Sequence, residues 1–254
     1  MRKCAWLLPA VLLSLILGGC QSPSSATKPQ HDKTKLAEIN TELGAQYMQN
    51  HEFQIAMDKL TKAVEIDPRY VDAHATLGLL YNALGQHDKA EASFKQALHL
   101  DPKNSAALNN YGQFLCQRGR HEEGEKLFLQ AVENPLYRNV DSAYNNAGVC
   151  ALAANKLDQA DTYFRKALEI NSQLAPALLN MADLNLQQQH ALQARAYLRR
   201  YSALAQSSAK SLWLGVQIER ALGNRDDEAS YSLQLEKSFP DSAQTKQMLE
   251  TKPQ

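Results

Sequence analysis

Cysteine carries the clearest chemistry in this chain, and the first question is what Cys20 does. It follows Leu17-Gly18-Gly19, which ends an apolar run that begins at about residue 5 behind a short basic head. Basic, apolar and small residues in this order before a cysteine are typical of a bacterial lipoprotein signal. The small glycines suit the signal peptidase, and the Cys20 thiol is the nucleophile that takes the lipid. We therefore predict a signal peptide over 1–19, cleavage between Gly19 and Cys20, and a mature chain that begins at acylated Cys20.

The same segment indicates where the protein resides. Its apolar run is shorter than the roughly 20 residues that a transmembrane helix needs, and Pro9 interrupts it. Several acyl chains on one cysteine anchor a protein stably. Residue 21 is Gln, whereas an aspartate there is the usual signal for retention in the inner membrane. We expect the periplasmic face of the outer membrane, with the lipid as the only attachment.

The rest of the composition excludes several classes of function. Lys+Arg number 27 and Asp+Glu number 27, so no basic surplus favours nucleic acid or an anionic membrane surface. The seven histidines are scattered, without HExxH or a pair at metal-ligand spacing, and no P-loop, GxGxxG or GxSxG occurs. The sequence therefore predicts no catalytic residue, no metal, no cofactor and no small-molecule substrate.

The elements that follow Cys20 divide into a polar segment and a helical body. Residues 20–34 are rich in Ser, Thr and Pro without apolar periodicity, so we predict a flexible tether. From about residue 35, Ala, Leu and charged residues recur at helical spacing, and strand-like alternation is almost absent. The body over 35–246 is predicted to be all-α, followed by a polar tail over 247–254.

The body repeats itself. Small residues at Gly44, Gly78, Gly112, Gly148 and Ala182 are separated by 34, 34, 36 and 34 residues. A period of 34 with this pattern resembles the tetratricopeptide repeat, a pair of antiparallel helices that buries its apolar face only against its neighbours. We predict an all-α, right-handed superhelical solenoid of about six repeats, near 37–70, 71–104, 105–138, 141–174, 175–208 and 210–243.

A solenoid of this kind offers a concave groove, lined mainly by the first helix of each repeat. Asn110, Asn146 and Asn180 occupy the same position of successive repeats, and Asn109 and Asn145 precede two of them. An asparagine amide donates and accepts, so a ladder of them suits the backbone of an extended peptide. The alternative is that these amides pair between helices or face solvent.

The groove positions near the N-terminal end are more apolar. Met48, Ala75 and Leu79 are predicted to line the groove there. An apolar groove on an exported protein suggests that it captures an apolar segment of a protein partner.

Cys116 and Cys150 remain in the mature body, on the first helices of repeats three and four. A bond between them would tie neighbouring repeats together across the two-residue insertion and add about 2–4 kcal/mol of stability. Two buried free thiols are the alternative, and an oxidising compartment favours the disulfide.

A longer block of residues resembles one family. Asn109-Asn110-Tyr111-Gly112 with Phe114-Leu115-Cys116, then Asn134-Pro135-Leu136-Tyr137, then Asn146-Ala147-Gly148-Val149-Cys150 are similar to the type IV pilus biogenesis/stability lipoprotein family (PilW/PilF). The resemblance implies a pilotin that binds the pilus secretin subunit, and other pilus components where they contribute. It would carry the secretin to the outer membrane and promote its multimerisation. It also implies a Cys116–Cys150 disulfide and an apolar partner groove in the first repeats, near Met48 and Leu79.

Two other functions share the lipoprotein signal and the repeats. One is a periplasmic adaptor for peptidoglycan hydrolases or proteases, and the other is an accessory subunit of outer-membrane barrel assembly. Neither explains the cysteine-containing block, so the secretin pilotin is our main prediction.

Overall fold

A computed structural model describes residues 27–251 of the chain, with side chains from residue 30 onward. This range holds thirteen α-helices and no β-strand, which confirms the all-α prediction. The helices are α1 Thr27–Gln49, α2 Phe53–Ile66, α3 Val71–Ala83, α4 His87–Leu100, α5 Ser105–Gln117, α6 His121–Val132, α7 Val140–Ala153, α8 Leu157–Ile170, α9 Ala175–Gln187, α10 Ala191–Ser202, α11 Ala209–Ala221, α12 Arg225–Ser238 and α13 Ala243–Glu250.

The first twelve helices form six antiparallel pairs that stack in chain order. Each first helix from α1 through α9 contacts the first helix of the next pair. Within residues 27–251, the backbones of successive second helices lie farther apart, with no Cα–Cα distance of 8 Å or less, although the side chains of Tyr163 on α8 and Glu125 on α6 meet at 2.6 Å. The stack is therefore closed on one side and splayed on the other, so the first helices line its concave face. This is the predicted tetratricopeptide solenoid of about six repeats.

Close approach within a pair depends on small residues opposite large ones. A Cβ added to Gly78 would lie 2.7 Å from the ring of Phe94, and one added to Gly44 would lie 2.6 Å from Leu60. The rings of Phe94, Phe128 and Phe164 are almost completely buried at the same position of successive repeats. Burying each such side chain contributes about 1.5–3 kcal/mol. The small and large residues that recur in the sequence are therefore the ones that pack against each other in successive helix pairs.

The turn inside each pair repeats as well. The second residue after the end of each first helix has a positive φ, a conformation that glycine adopts at least cost. Gly85 and Gly119 fill this place with φ of 72° and 77°, and non-glycine residues occupy it in three other repeats. The six residues are His51, Gly85, Gly119, Asn155, Gln189 and Gly223.

The N-terminal boundary of the solenoid differs from the prediction. Helix α1 begins at Thr27, so residues 27–34 are helical and do not belong to a flexible tether. The hydroxyl of Thr34 donates to Asp67 at 2.7 Å, which ties this extra length to the end of repeat one. Pro29 is tolerated because the N–H groups of a first helical turn have no partner within the helix. The signal peptide, Gly19, Cys20 and the remainder of the tether lie outside the described residues.

The C-terminal boundary also differs. Residues 247–250 belong to α13, so a polar tail from residue 247 is wrong for this part of the chain. Met248 is fully buried against α11 and α12, beside Trp213 and Leu235. Helix α13 therefore covers the apolar end of the last pair, as terminal units of a solenoid must. None of the helices between residues 27 and 251 combines the length and apolarity needed to cross a membrane.

Candidate partner-binding surface

The concave face is most distinctive where α5 meets α7. Cys116 on α5 and Cys150 on α7 form a disulfide with a Cα–Cα distance of 5.5 Å. That separation lies inside the ordinary range for disulfides. Cys150 is buried and Cys116 is half-buried, so the bond forms part of the wall between repeats three and four. Of the two alternatives left open by the residues, the structure adopts the disulfide.

Gly124 on α6 makes room for this bond. Four other repeats have alanine at the same position, namely Ala56, Ala90, Ala160 and Ala194. A Cβ on Gly124 would collide with the Sγ of Cys116 and lie 2.7 Å from the carbonyl oxygen of Gly112. This role of Gly124 was not predicted from the sequence, although a single glycine among five aligned small residues was a signal for it.

A pocket of about 160 Å³ opens beside the disulfide. Val149 on α7 is one of its apolar lining residues and is 44% exposed. The surface of the pocket is mostly apolar, and amide side chains from both helices frame it. The lining residues are Gln113, Cys116, Gln117, Phe128, Asn146, Val149, Cys150 and Ala153.

Most of the asparagine ladder is engaged within the protein. The amide of Asn146 donates to Oδ1 of Asn109 at 3.0 Å, and that of Asn180 donates to Oδ1 of Asn145 at 3.0 Å. These bonds join repeat three to four and four to five, because neighbouring first helices bring the amides together. Pairing between helices, the alternative to peptide binding, therefore describes these four residues. Asn110 is half-buried and makes no side-chain hydrogen bond with residues 30–251.

The predicted apolar groove near the N-terminal end is largely filled. Ala75 is 3% exposed and packs against Ala97 and Ala107, so its assignment to the groove surface is wrong. Its position in the repeat brings it between α4 of its own pair and α5 of the next pair, which together cover the methyl group. Met48 and Leu79 are half-buried against the cores of repeats one and two. The open apolar pocket lies two repeats further along the chain.

Charged side chains between repeats act mainly as structural partners. Glu91 lies 2.8 Å from both Lys95 and Arg120 and accepts a hydrogen bond from Tyr111 at 3.0 Å. Hydrogen bonds from Lys95 and Arg120 lower the pKa of the Glu91 carboxyl to about 2. Burial, with the bond to Glu91, raises the pKa of Tyr111 to about 12. Both groups therefore keep one protonation state near neutral pH, which suits a fixed contact between repeats.

One cluster has the residue types of a metal site. His121 Nδ1 lies 3.9 Å from the Sγ of Cys150, and Cys116 completes the group. The two sulfur atoms are bonded to each other, so the group offers no thiolate to a metal in this state.

Comparison with known proteins agrees with the repeat architecture. The profile of the tetratricopeptide-repeat family matches residues 71–104 and 104–173. The chain is 33% identical over 237 residues to the type IV pilus assembly protein PilF of Pseudomonas aeruginosa, an alignment that covers 93% of each chain.

Two solved structures extend the agreement to three dimensions. A structure of Pseudomonas aeruginosa PilF superposes with a TM-score of 0.75 at 32% identity, covering 87% of this chain and all of the other. A crystal structure of PilW, described as a widely conserved type IV pilus biogenesis factor, gives 0.77 at 30% identity, covering 84% and 98%. This chain therefore belongs to the family of tetratricopeptide-repeat proteins of type IV pilus biogenesis that includes PilF and PilW.

Proposed function

We propose that this chain is a lipoprotein on the periplasmic face of the outer membrane that binds the pilus secretin subunit. Through its concave face it promotes the localisation and multimerisation of the secretin. The observation that supports this best is the similarity to PilF over 93% of the chain, together with a lipoprotein signal that ends at Cys20. A scaffold of stacked helices with an open concave face suits a protein partner.

The mechanism follows from the lipid and the groove. A secretin monomer carries membrane-seeking segments that would aggregate in the periplasm. The concave face would cover one such segment, and the acyl chains on Cys20 would carry the complex to the outer membrane. Ring assembly would then follow at high local concentration. In this proposal the chain is an adaptor and carries out no chemistry on its partner.

The early start of α1 limits how far the solenoid stands from the bilayer. Helix α1 begins at Thr27, only seven residues after Cys20. Even a fully extended chain spans about 3.5 Å per residue, so this segment reaches about 25 Å at most. The N-terminal end of the solenoid would therefore stay close to the membrane that receives the secretin.

Deletion of the gene tests the proposal. We expect heat-resistant secretin multimers to disappear from outer-membrane fractions, to return with the wild-type gene, and not to return with Cys20→Ala. The Cys20→Ala protein should still fold, because Cys20 precedes the first helix of the solenoid. Unchanged multimers after deletion would contradict secretin assembly and favour an adaptor for wall enzymes. Normal multimers in the Cys20→Ala strain would contradict only delivery by the lipid.

A further inference from the structure

We propose that the concave face of α5 and α7 is the docking surface for the partner. Its ligand would be an extended, uncharged segment that inserts one apolar side chain into the pocket beside the disulfide. The inference rests on the proposed function and adds to it the location of the contact and the chemistry of the bound segment.

The absence of charge on these two helices is the first argument. Helix α5, over thirteen residues, contains no Asp, Glu, Lys, Arg or His, and α7 contains only Asp141 in its first turn. Asp141 is already engaged, since Asn171 donates to it at 2.9 Å. Helix α6, packed behind them, begins with acidic residues in its first turn. A charged ligand would lose its hydration on the α5–α7 surface without gaining a partner, whereas an uncharged one would not.

The pocket supplies the second argument. Apolar cavities of about 150 Å³ accommodate a benzene ring, so a pocket of about 160 Å³ has room for one apolar side chain. Val149 leaves 44% of its surface exposed at this place although it lies on an otherwise well-packed helix. Inserting an apolar side chain would cover that surface.

Unpaired amides beside the pocket supply the third argument. Asn110 and Gln113 make no side-chain hydrogen bond with the described part of the chain. Gln117 accepts from Asn82 at 2.9 Å and keeps its own N–H groups for another acceptor. Residues at this spacing lie on one face of a helix, and each amide can serve a peptide N–H or carbonyl. They suit the backbone of an extended segment.

Photo-crosslinking from the full-length lipoprotein in cells tests the location. A benzophenone amino acid would replace Gln113 or Ala153 on the proposed surface, or Leu192 on α10 as the control. Leu192 is 66% exposed and lies on a second helix, away from the concave face. We expect crosslinks from the first two positions to one secretin segment that lacks charge at its centre, identified by mass spectrometry. Crosslinks to a charged segment, to a second copy of this chain, or equally from the control position would overturn the inference.

A charge placed in the pocket tests its chemistry. Val149→Asp should reduce the crosslink from Gln113 by about tenfold or more, because a carboxylate would be desolvated there. Val149→Thr keeps the shape without the charge and should retain most of the crosslink. Leu192→Asp should have no effect, and circular dichroism should show that all three variants fold. Full secretin multimers and full crosslinking with Val149→Asp would reject the docking surface. The proposed function would fail separately, through unchanged multimers in the deletion strain.

Discussion

The contacts between repeats two and three differ in kind from those between repeats three and four. At the first, the ring of Phe94 stacks on that of Tyr111 with centroids 5.5 Å apart, and Phe114 lies at 5.5 Å as well. At the second, the space between α5 and α7 holds a disulfide and an open pocket. Noncovalent packing fills the first interface, while a covalent bond spans the second.

A polar contact recurs at both interfaces, which makes the comparison sharper. Glu91 of repeat two binds Tyr111 and Arg120, and Glu125 of repeat three accepts from the Tyr163 hydroxyl at 2.6 Å. Lys156, one repeat after Arg120, lies 4.0 Å from Glu125. Since both interfaces keep the polar contact, the disulfide and the open pocket are what distinguish the second interface from the first. We interpret the bond as covalent support for the docking surface proposed above.

The largest expected effect comes from removing equivalent aromatic rings on the two sides. Phe94→Ala and Phe128→Ala should each lower the free energy of unfolding by about 3–5 kcal/mol, through lost burial and a cavity. Phe94→Ala should also split urea unfolding, followed by circular dichroism, into two transitions, because in the described part of the chain no covalent cross-link besides the backbone joins repeats two and three. Phe128→Ala should keep one transition while the disulfide is intact.

The exposed Leu233→Ala is the control for these two variants, with an expected change within about 0.5 kcal/mol. Two transitions in oxidised Phe128→Ala would break the comparison.

Removing the disulfide should have the next largest effect. The double variant Cys116→Ser with Cys150→Ser should lose about 2–4 kcal/mol of stability in chemical denaturation. Wild-type protein treated with dithiothreitol serves as the matched control and should lose a similar amount. If mass spectrometry of protein from the periplasm shows free thiols, the bond does not stabilise this interface in the cell.

A smaller change in stability is expected at Gly124, and its sign is opposite to the usual effect of replacing a helical glycine with alanine. Gly124→Ala should destabilise the protein by about 1–3 kcal/mol, although alanine ordinarily favours a helix, because its methyl group would collide with Cys116. The matched change Ala90→Gly, at the same position of repeat two, should cost about 0.5–1 kcal/mol for the usual helical reason. Thermal unfolding measures both, and a more stable Gly124→Ala would show that the disulfide can shift to admit a methyl group.

The smallest expected effect is on the stability of the protein at acidic pH. The pKa of Glu91 is lowered from 4.5 to about 2, so its contribution is fully present above pH 4.5 and disappears as pH falls toward 2. Glu91→Gln should flatten the dependence of stability on pH across this window, by about 1 kcal/mol after solvent screening. Glu228→Gln, in an ion pair with Arg220 far from this interface, is the control. An unchanged pH profile in Glu91→Gln would mean that the contact contributes no net stability.

Much of the fold could be predicted because its causes repeat along the chain. Within one helix pair, Gly78 on the first helix faces the ring of Phe94 on the second. The same packing occurs one repeat later between Gly112 and Phe128. The cysteine pair was a candidate disulfide because Cys116 and Cys150 lie on adjacent first helices, and the family resemblance implied the bond.

The partner-binding surface was harder to predict because a side chain at a groove position can contact a neighbouring helix as well as face the groove. Asn146 donates a hydrogen bond to Oδ1 of Asn109 at 3.0 Å, an outcome that depends on how closely α5 and α7 approach. Ala75 is covered by α4 of its own pair together with α5 of the next pair, which again depends on how closely the helices approach. The position of a residue within the repeat predicts which face of the helix it lies on, but it does not predict the distance to the neighbouring helix.

Residue types and their spacing were enough to predict the period, the solenoid, the resemblance to pilus biogenesis proteins and the candidate lipid site at Cys20. Helix packing in three dimensions was needed to show that α1 begins at Thr27, that α13 covers the far end, and that the open pocket lies beside Cys116 and Val149. These features depend on the gaps left when neighbouring helices pack, and the spacing of residues along one chain does not measure such gaps.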